Sequence, residues 1–210
     1  VTPLTSPELE NDIQWVNFLR KLSLLPESIL NASKLIGIDE KFVSQLASGK
    51  WKSVNNCEVK RAMHVRFYIA LCLDRLVEEQ NIYEISSLYR VSKGSLQQVQ
   101  QSACVFAGML SRLSRSLKWF TMALLFENLQ SRLEFGVKND LLDLMQLQCL
   151  DARLARFLFD NGIEKVEQLC HNTCDKNALN RLIEEFVHLY GLLDVEKEAS
   201  NCNEAIKISK

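Results

Sequence analysis

The stretch Ser92-Lys-Gly-Ser-Leu-Gln-Gln-Val-Gln-Gln-Ser-Ala-Cys-Val-Phe-Ala-Gly-Met-Leu-Ser-Arg-Leu-Ser-Arg-Ser-Leu117 decides the fold. Ser92 suits an N-cap, because its hydroxyl can accept from a backbone N–H that the first helical turn leaves unpaired. From about Ser95 to Leu117 no proline interrupts a helical apolar spacing. At about 100° per residue, Leu96, Val99, Ala103, Phe106, Leu110, Leu113 and Leu117 fall on one broad side. Gln97, Gln100, Gln101, Cys104, Gly108, Ser111, Arg112 and Arg115 fall on the other, with Gln98 and Val105 at its margin. A long helix with one apolar side belongs in a helical bundle.

The flanking segments read the same way. Lys118 to Phe135 is a second helix, closed by Gly136. Upstream, Asn81 caps a short helix to about Tyr89. A long helix from about Glu58 to Glu79 carries Ala62, Val65, Phe67, Ile69, Leu73 and Leu76. Between Glu8 and Leu25, Ile13, Trp15, Phe18, Leu19 and Leu22 share one face. Pro26 suits the first turn of the next helix, to about Ile36. Asp39 caps a short helix ending near Ser48. Gly37, Gly49, Gly136, Gly162 and Gly191 each follow an apolar-periodic stretch, where a left-handed helix-ending residue sits. No segment shows sustained strand alternation.

From Val137 the elements shorten. Leu141–Leu147 reads as a short helix, Cys149-Leu150-Asp151 as a tight turn, and Ala152–Asp160 as a helix stopped by Asn161-Gly162. Ile163–Leu169 begins another. Two short helices about a three-residue turn, then Gly-Ile, are the shape of a helix-hairpin-helix module. The expected organisation is all-α: a helical bundle over 1–137 built on the long central helix, a helix-hairpin-helix over 138–191, and a polar tail over 192–210.

Composition agrees and excludes alternatives. With 47% hydrophobic and 24% charged among 210 residues, the chain is globular rather than disordered. Only 3 prolines and 7 glycines are too few turn residues for a sandwich or barrel. Lys and Arg number 25 against 26 Asp and Glu, which excludes a wholly basic coat but not a local basic face. The 7 cysteines are odd in number, and several sit in helical patterns, pointing to free thiols in a reducing compartment, cytosol or nucleus. No apolar run reaches the roughly 18 residues of a membrane span, so no membrane role is expected. The opening Val1-Thr-Pro-Leu-Thr-Ser-Pro7 has no basic or apolar signal-peptide region. It also lacks Met, and the expectation is a piece of a longer chain.

No catalytic residue is assigned. The chain has no Gly-x-x-x-x-Gly-Lys-Ser/Thr loop, no Gly-x-Gly-x-x-Gly and no His-Glu-x-x-His. Cys170-His171-x-x-Cys174 invites a zinc reading, but four ligands at zinc spacing are missing and only Cys202 follows. The plainer reading is a helix end with incidental thiols, so no metal is assigned. His64 and His188 stand alone within helices, where packing explains them. Charge placement is more informative. From Ile85 to Phe126 there is no Asp or Glu, yet Arg90, Lys93, Arg112, Arg115 and Lys118 all lie there. That is a local anion-binding face, and nucleic acid is its leading ligand. On the polar side of the long helix, amides can bond phosphate or base edges and arginines can neutralise phosphate. The competing reading is a bundle helix whose glutamines bond neighbouring segments. A third reads Ile85–Leu96 as a helix-turn-helix that binds duplex DNA. A fourth is a helical scaffold that docks a repair partner.

Ser92–Met109 closely resembles the central helix in the helicase-like region of polymerase-theta-type helicases, within the Ski2-like superfamily 2 DNA helicases. Leu117-Lys-Trp119 and Leu129-Gln-Ser-Arg132-Leu-Glu-Phe135-Gly136-Val-Lys-Asn-Asp-Leu141 are similar too, as are Ser33-Lys-Leu-Ile-Gly37-Ile-Asp-Glu-Lys-Phe42 and Gly49-Lys50. Leu144-Met-Gln-Leu, Asp151-Ala-Arg153-Leu-Ala155-Arg156 and Gly162-Ile163 resemble the helix-hairpin-helix of the same helicases. The match runs in order over roughly residues 13–170. It implies a region that follows two motor domains and a winged helix, with a "ratchet" helix at Ser95–Leu117 touching translocating single-stranded DNA. It implies ATP and Mg²⁺ for the motor domains and no cofactor in this segment. It also implies a nuclear location, with the motor domains and other repair proteins as partners. In the archaeal branch an arginine and, seven residues later, a base-stacking tryptophan fall on the positions of Gln98 and Val105, which can supply neither charge nor indole. The DNA-contacting residues so implied are Gln97, Gln98, Gln101, Val105, Arg112, Arg115 and Lys118, with Arg153 and Arg156 of the hairpin at i and i+3. The hairpin turn Cys149-Leu150-Asp151 has no glycine, unlike phosphate-binding hairpins.

Overall fold

The computed structural model describes residues 13–49, 57–147, 150–168 and positions 181, 184 and 186. Every regular element among them is helical: α1 (Trp15–Leu22), α2 (Glu27–Ile36), α3 (Glu40–Ala47), α4 (Cys57–Val77), α5 (Ile82–Tyr89), α6 (Lys93–Ser116), α7 (Phe120–Phe135) and α8 (Ala152–Asp160). The fold is all-α. The chain divides into two compact units, Val1–Glu134 and Phe135–Lys210. Among the described residues no helix is long and apolar enough to cross a membrane.

Local chemistry sets the helix starts. Asp39 accepts from the Lys41 N–H at 2.9 Å, Asn81 from Tyr83 at 2.9 Å, and Ser92 from Ser95 at 3.0 Å. Pro26 sits one position earlier than expected, as the N-cap of α2. Gly37 ends α2 at φ +89°. Arg90 turns the chain between α5 and α6 at φ +53°, without glycine.

In the first unit α4 is the central element. It contributes buried Val65, Tyr68, Ile69, Cys72 and Leu76, covered by Phe18 and Leu22 of α1, Val43 of α3, Ile85 and Tyr89 of α5, and Leu96 and Val99 of α6. His64 is also buried in α4, with its polar atoms satisfied. Its Nε2 accepts from the Asp39 N–H at 3.0 Å, and Nδ1 lies 2.7 Å from the Lys60 carbonyl. This is a packed histidine, with no reactive partner among the described residues.

Tyr68 ties three helices. Its hydroxyl accepts from Asn17 Nδ2 at 3.0 Å and donates to the Tyr89 carbonyl at 2.7 Å, while its ring stands edge-on to Phe18 and Tyr89. Burial pushes the Tyr68 hydroxyl far above its ordinary value, and does the same to the Cys72 thiol. Both groups fold neutral and ionise more easily unfolded. Their stabilisation is therefore complete below their unfolded values, near 9.0 for the thiol and 10.0 for the phenol, and is lost as pH rises beyond them. Urea unfolding should show about 2–3 kcal/mol less stability at about pH 10.5 than at pH 8. The loss should shrink in a Tyr68→Phe, Cys72→Ala double variant, even though that variant is less stable at pH 8.

The second unit has its own core, formed by Val137, Leu141, Leu144, Met145, Leu150, Leu154, Ala155, Leu158, Ile163 and Phe186. The segment expected as one short helix, Leu141–Leu147, is instead a pair of 3₁₀ turns, Asn139–Leu141 and Leu144–Gln146. The tighter turns aim Leu141, Leu144 and Met145 inward. Asp151 caps α8, and Gly162 at φ +87° closes it, with the Ile163 N–H donating to the Leu158 carbonyl at 3.0 Å. Cys149, Cys170, His171, Cys174, His188, Gly191 and the 192–210 tail lie outside the described residues.

Candidate nucleic-acid interface

Helix α6 presents the candidate surface, and its end dictates what covers it. Lys118 adopts φ +61°, its N–H donating to the Arg115 carbonyl at 3.0 Å, and the Trp119 N–H donates to Ser114 at 2.8 Å. After this turn, α7 runs back antiparallel along α6. Gln100 Nε2 donates to the Leu133 carbonyl at 2.7 Å, Cys104 Sγ lies 3.7 Å from the Gln130 carbonyl, and Ser111 Oγ donates to Glu127 at 2.9 Å. Arg115 grips the same carboxylate with Nε at 2.8 Å and Nη2 at 2.9 Å. A Cβ on Gly108 would stand 2.8 Å from Gln130 Oε1, because the amide end of the Gln130 side chain lies over this glycine.

This corrects the helical-wheel expectation. Gln100, Cys104, Gly108, Ser111 and Arg115 form the seam with α7 and are not a free polar side. Phe106, Leu113 and Leu117, expected inward, are exposed, as are Trp119, Phe120, Leu124 and Leu125 on and beside α7. The buried stripe of α6 runs instead from Leu96, Val99 and Ala103 into the small residues Ala107, Gly108, Ser111 and Ser114.

Four of the expected contact residues share one exposed stripe. Gln98, Val105 and Arg112 recur every seven residues, with Gln101 beside them, and all four are exposed. Gln97 borders this stripe. Arg112 Nε bonds back to the Gly108 carbonyl at 3.3 Å, and among the described residues no carboxylate pairs with its guanidinium. Lys118 is exposed and likewise has no carboxylate partner among them. Arg115 is different, because Glu127 already holds its fork. In return, hydrogen bonds from Ser111 and Arg115 hold the Glu127 carboxyl below its usual range.

Beside the stripe lies an open groove of about 570 Å³. Gln97, Gln100, Gln101, Cys104 and Val105 of α6 line it from one helix, and Leu133 and Glu134 of α7 from the other. Burial first, then the Glu134 charge, pushes the Cys104 thiol up, so it stays protonated and is no nucleophile. Sequence reasoning missed the α7 contributors Glu127, Gln130 and Glu134. The sequence reading runs one helix to Leu117 and begins the next at Lys118, and the three-residue link 117–119 that folds α7 back onto α6 emerges only in the structure.

In the second unit Arg156 holds Asp140 with two bonds of 3.0 Å and lies over the Phe159 ring. That carboxyl sits below its usual range, chiefly through the Arg156 hydrogen bond. Arg153 is exposed, 3.4 Å from Asp151. The cations a duplex-reading helix-turn-helix would use are engaged within the chain. Arg90 bonds Gln14 at 2.8 Å, and Lys93 bonds the Tyr83 hydroxyl at 2.7 Å.

A family model described as "DNA_pol_Q helicase like region helical domain" matches residues 1–133. The chain is 34% identical over 169 residues to DNA polymerase theta of Mus musculus, covering 79% of this chain and 7% of that protein. It is 35% identical over 170 residues to DNA polymerase theta of Drosophila melanogaster, covering 80% and 8%. With DNA polymerase theta of Caenorhabditis elegans the identity is 29% over 206 residues, 98% of this chain and 12% of that protein. The chain therefore spans about a tenth of the length of these relatives.

Proposed function

Because the chain belongs to the family of the helical domain in the DNA polymerase theta helicase-like region, we propose that it is the non-catalytic, single-stranded-DNA-contacting region of an ATP-dependent DNA repair helicase. In this reading it guides the translocating strand, in the nucleus. The observation that carries the reading is the exposed stripe of α6, with amides at Gln98 and Gln101 and, at Arg112, a cation that no carboxylate pairs among the described residues. Such a surface suits a single strand of any sequence. Amides bond base edges or phosphates in either sense, and the guanidinium neutralises phosphate. Motor domains elsewhere in the parent, with ATP and Mg²⁺, supply the energy. This chain has no phosphate loop to hold a nucleotide.

Fluorescence anisotropy with a random single strand, a random duplex and a salt titration tests the reading. Preference for the single strand supports it. Preference for one duplex would support the helix-turn-helix alternative, and binding to neither would leave a scaffold that docks a repair partner.

Two substitutions locate the contact. Arg112→Ala should weaken binding about equally for every sequence and lower the salt slope by roughly 0.7, the value of one phosphate contact on a single strand. Glu127→Gln should do the reverse. It releases the Arg115 fork and removes a nearby negative charge, so binding tightens and the slope rises by up to roughly 0.7. A slope unmoved by both variants would take the strand off α6.

A further inference from the structure

The groove between α6 and α7 has a feature that phosphate binding does not explain. Glu134 places a carboxylate on its edge, and among the described residues that carboxylate has neither an ion pair nor a hydrogen bond. Next to a polyanion backbone such a charge is repulsive. It becomes favourable where a hydrogen-bond donor, rather than a phosphate, arrives beside it. The rest of the groove suits a flat, neutral, heteroaromatic occupant. Val105 offers apolar surface, the protonated Cys104 thiol adds no charge, and Gln97 and Gln101 present amides with no hydrogen bond among the described residues. Gln100 cannot swing in freely, because its amide nitrogen is tied to the Leu133 carbonyl. The volume of about 570 Å³ lies within the range of small-molecule sites and takes one unstacked base with its solvent.

We infer that this groove receives one unstacked base of the bound strand and that Glu134 makes it selective for bases with an exocyclic amine. The inference rests on the single-strand reading above and deepens it. The carboxylate of Glu134 accepts from the N4 amine of cytosine, the pairing an acidic side chain makes with that base. Thymine offers a carbonyl oxygen at the equivalent position, which faces the carboxylate as acceptor against acceptor. Gln97 and Gln101 can donate or accept, so they hold either pyrimidine without distinguishing them.

The test compares two strands of similar size and weak self-stacking, oligo(dC) and oligo(dT), on the full 210-residue chain by anisotropy at fixed salt. The wild-type chain should bind oligo(dC) about threefold to tenfold more tightly, the value of one added hydrogen bond. Glu134→Gln replaces the acceptor with an amide that serves both bases, so it should abolish the preference. Gln101→Ala should weaken both strands and keep their ratio. Glu134 and Gln101 are exposed, so matching thermal melts should establish that the variants are folded. Equal wild-type affinity for the two strands overturns the base-selective groove while leaving single-strand binding intact. So does a Glu134→Gln variant that tightens both strands equally, which would make Glu134 only a repulsive charge near the backbone. Binding to neither strand overturns this inference together with the reading it rests on.

Discussion

Val105→Trp is expected to tighten single-stranded DNA binding by about 5- to 150-fold, the equivalent of the roughly 1–3 kcal/mol of one stacked base. Val105 is 59% exposed, midway between Gln98 and Arg112 on the same stripe of α6, and forms part of the groove wall. Valine and tryptophan have similar helix propensities, and the position buries little, so the helix tolerates the change. An indole there offers a flat face to whatever base passes. Stacking neutralises no phosphate, so affinity should rise while the salt slope stays as in the wild type. That separates this variant from Arg112→Ala, which moves the slope. A Val105→Trp chain that melts normally yet binds no better would mean that the strand does not cross α6 at its middle.

Phe18→Ala is expected to cost about 3–5 kcal/mol, the range for emptying a buried phenylalanine site. Phe18 is wholly buried, with its ring 5.0 Å from Tyr68 edge-on and 6.1 and 6.4 Å from Trp15 and Phe67. With Ile13 and Leu22 it carries the buried apolar surface that joins α1 to the rest of the first unit. The loss is a large fraction of the roughly 5–15 kcal/mol that holds a domain folded. The urea midpoint of the first unit should fall by roughly 2 M, given slopes of about 1–3 kcal/mol per molar. Leu35→Ala, at a leucine 90% exposed on α2, should leave that midpoint where it is. Equal midpoints for Phe18→Ala and the wild type would remove Phe18 from the core.

The sequence alone determined that the described chain is helical, and where most helices begin and end. Asp39, Asn81, Ser92 and Asp151 cap because each side-chain oxygen reaches a backbone N–H at most three residues away, and Gly37 and Gly162 close helices through their own φ. These choices need no partner. The acid-free run from Ile85 to Phe126 was equally legible, since charge can be counted along the chain. Turns made without glycine, at Arg90 and Lys118, were not, because there the surrounding helices hold a backbone conformation that the residue itself does not favour. The 3₁₀ turns at 139–146 depended on the core they fill. Tertiary structure also decided which side of α6 is free. An apolar stripe says that a helix packs, but the packing partner is chosen by shape and polar fit. The Gln130 amide covers Gly108, and Glu127 draws Ser111 and Arg115 into the seam. Hydrophobic periodicity is a property of one helix. The seam is a property of two helices, and the short link after Leu117 brings them together.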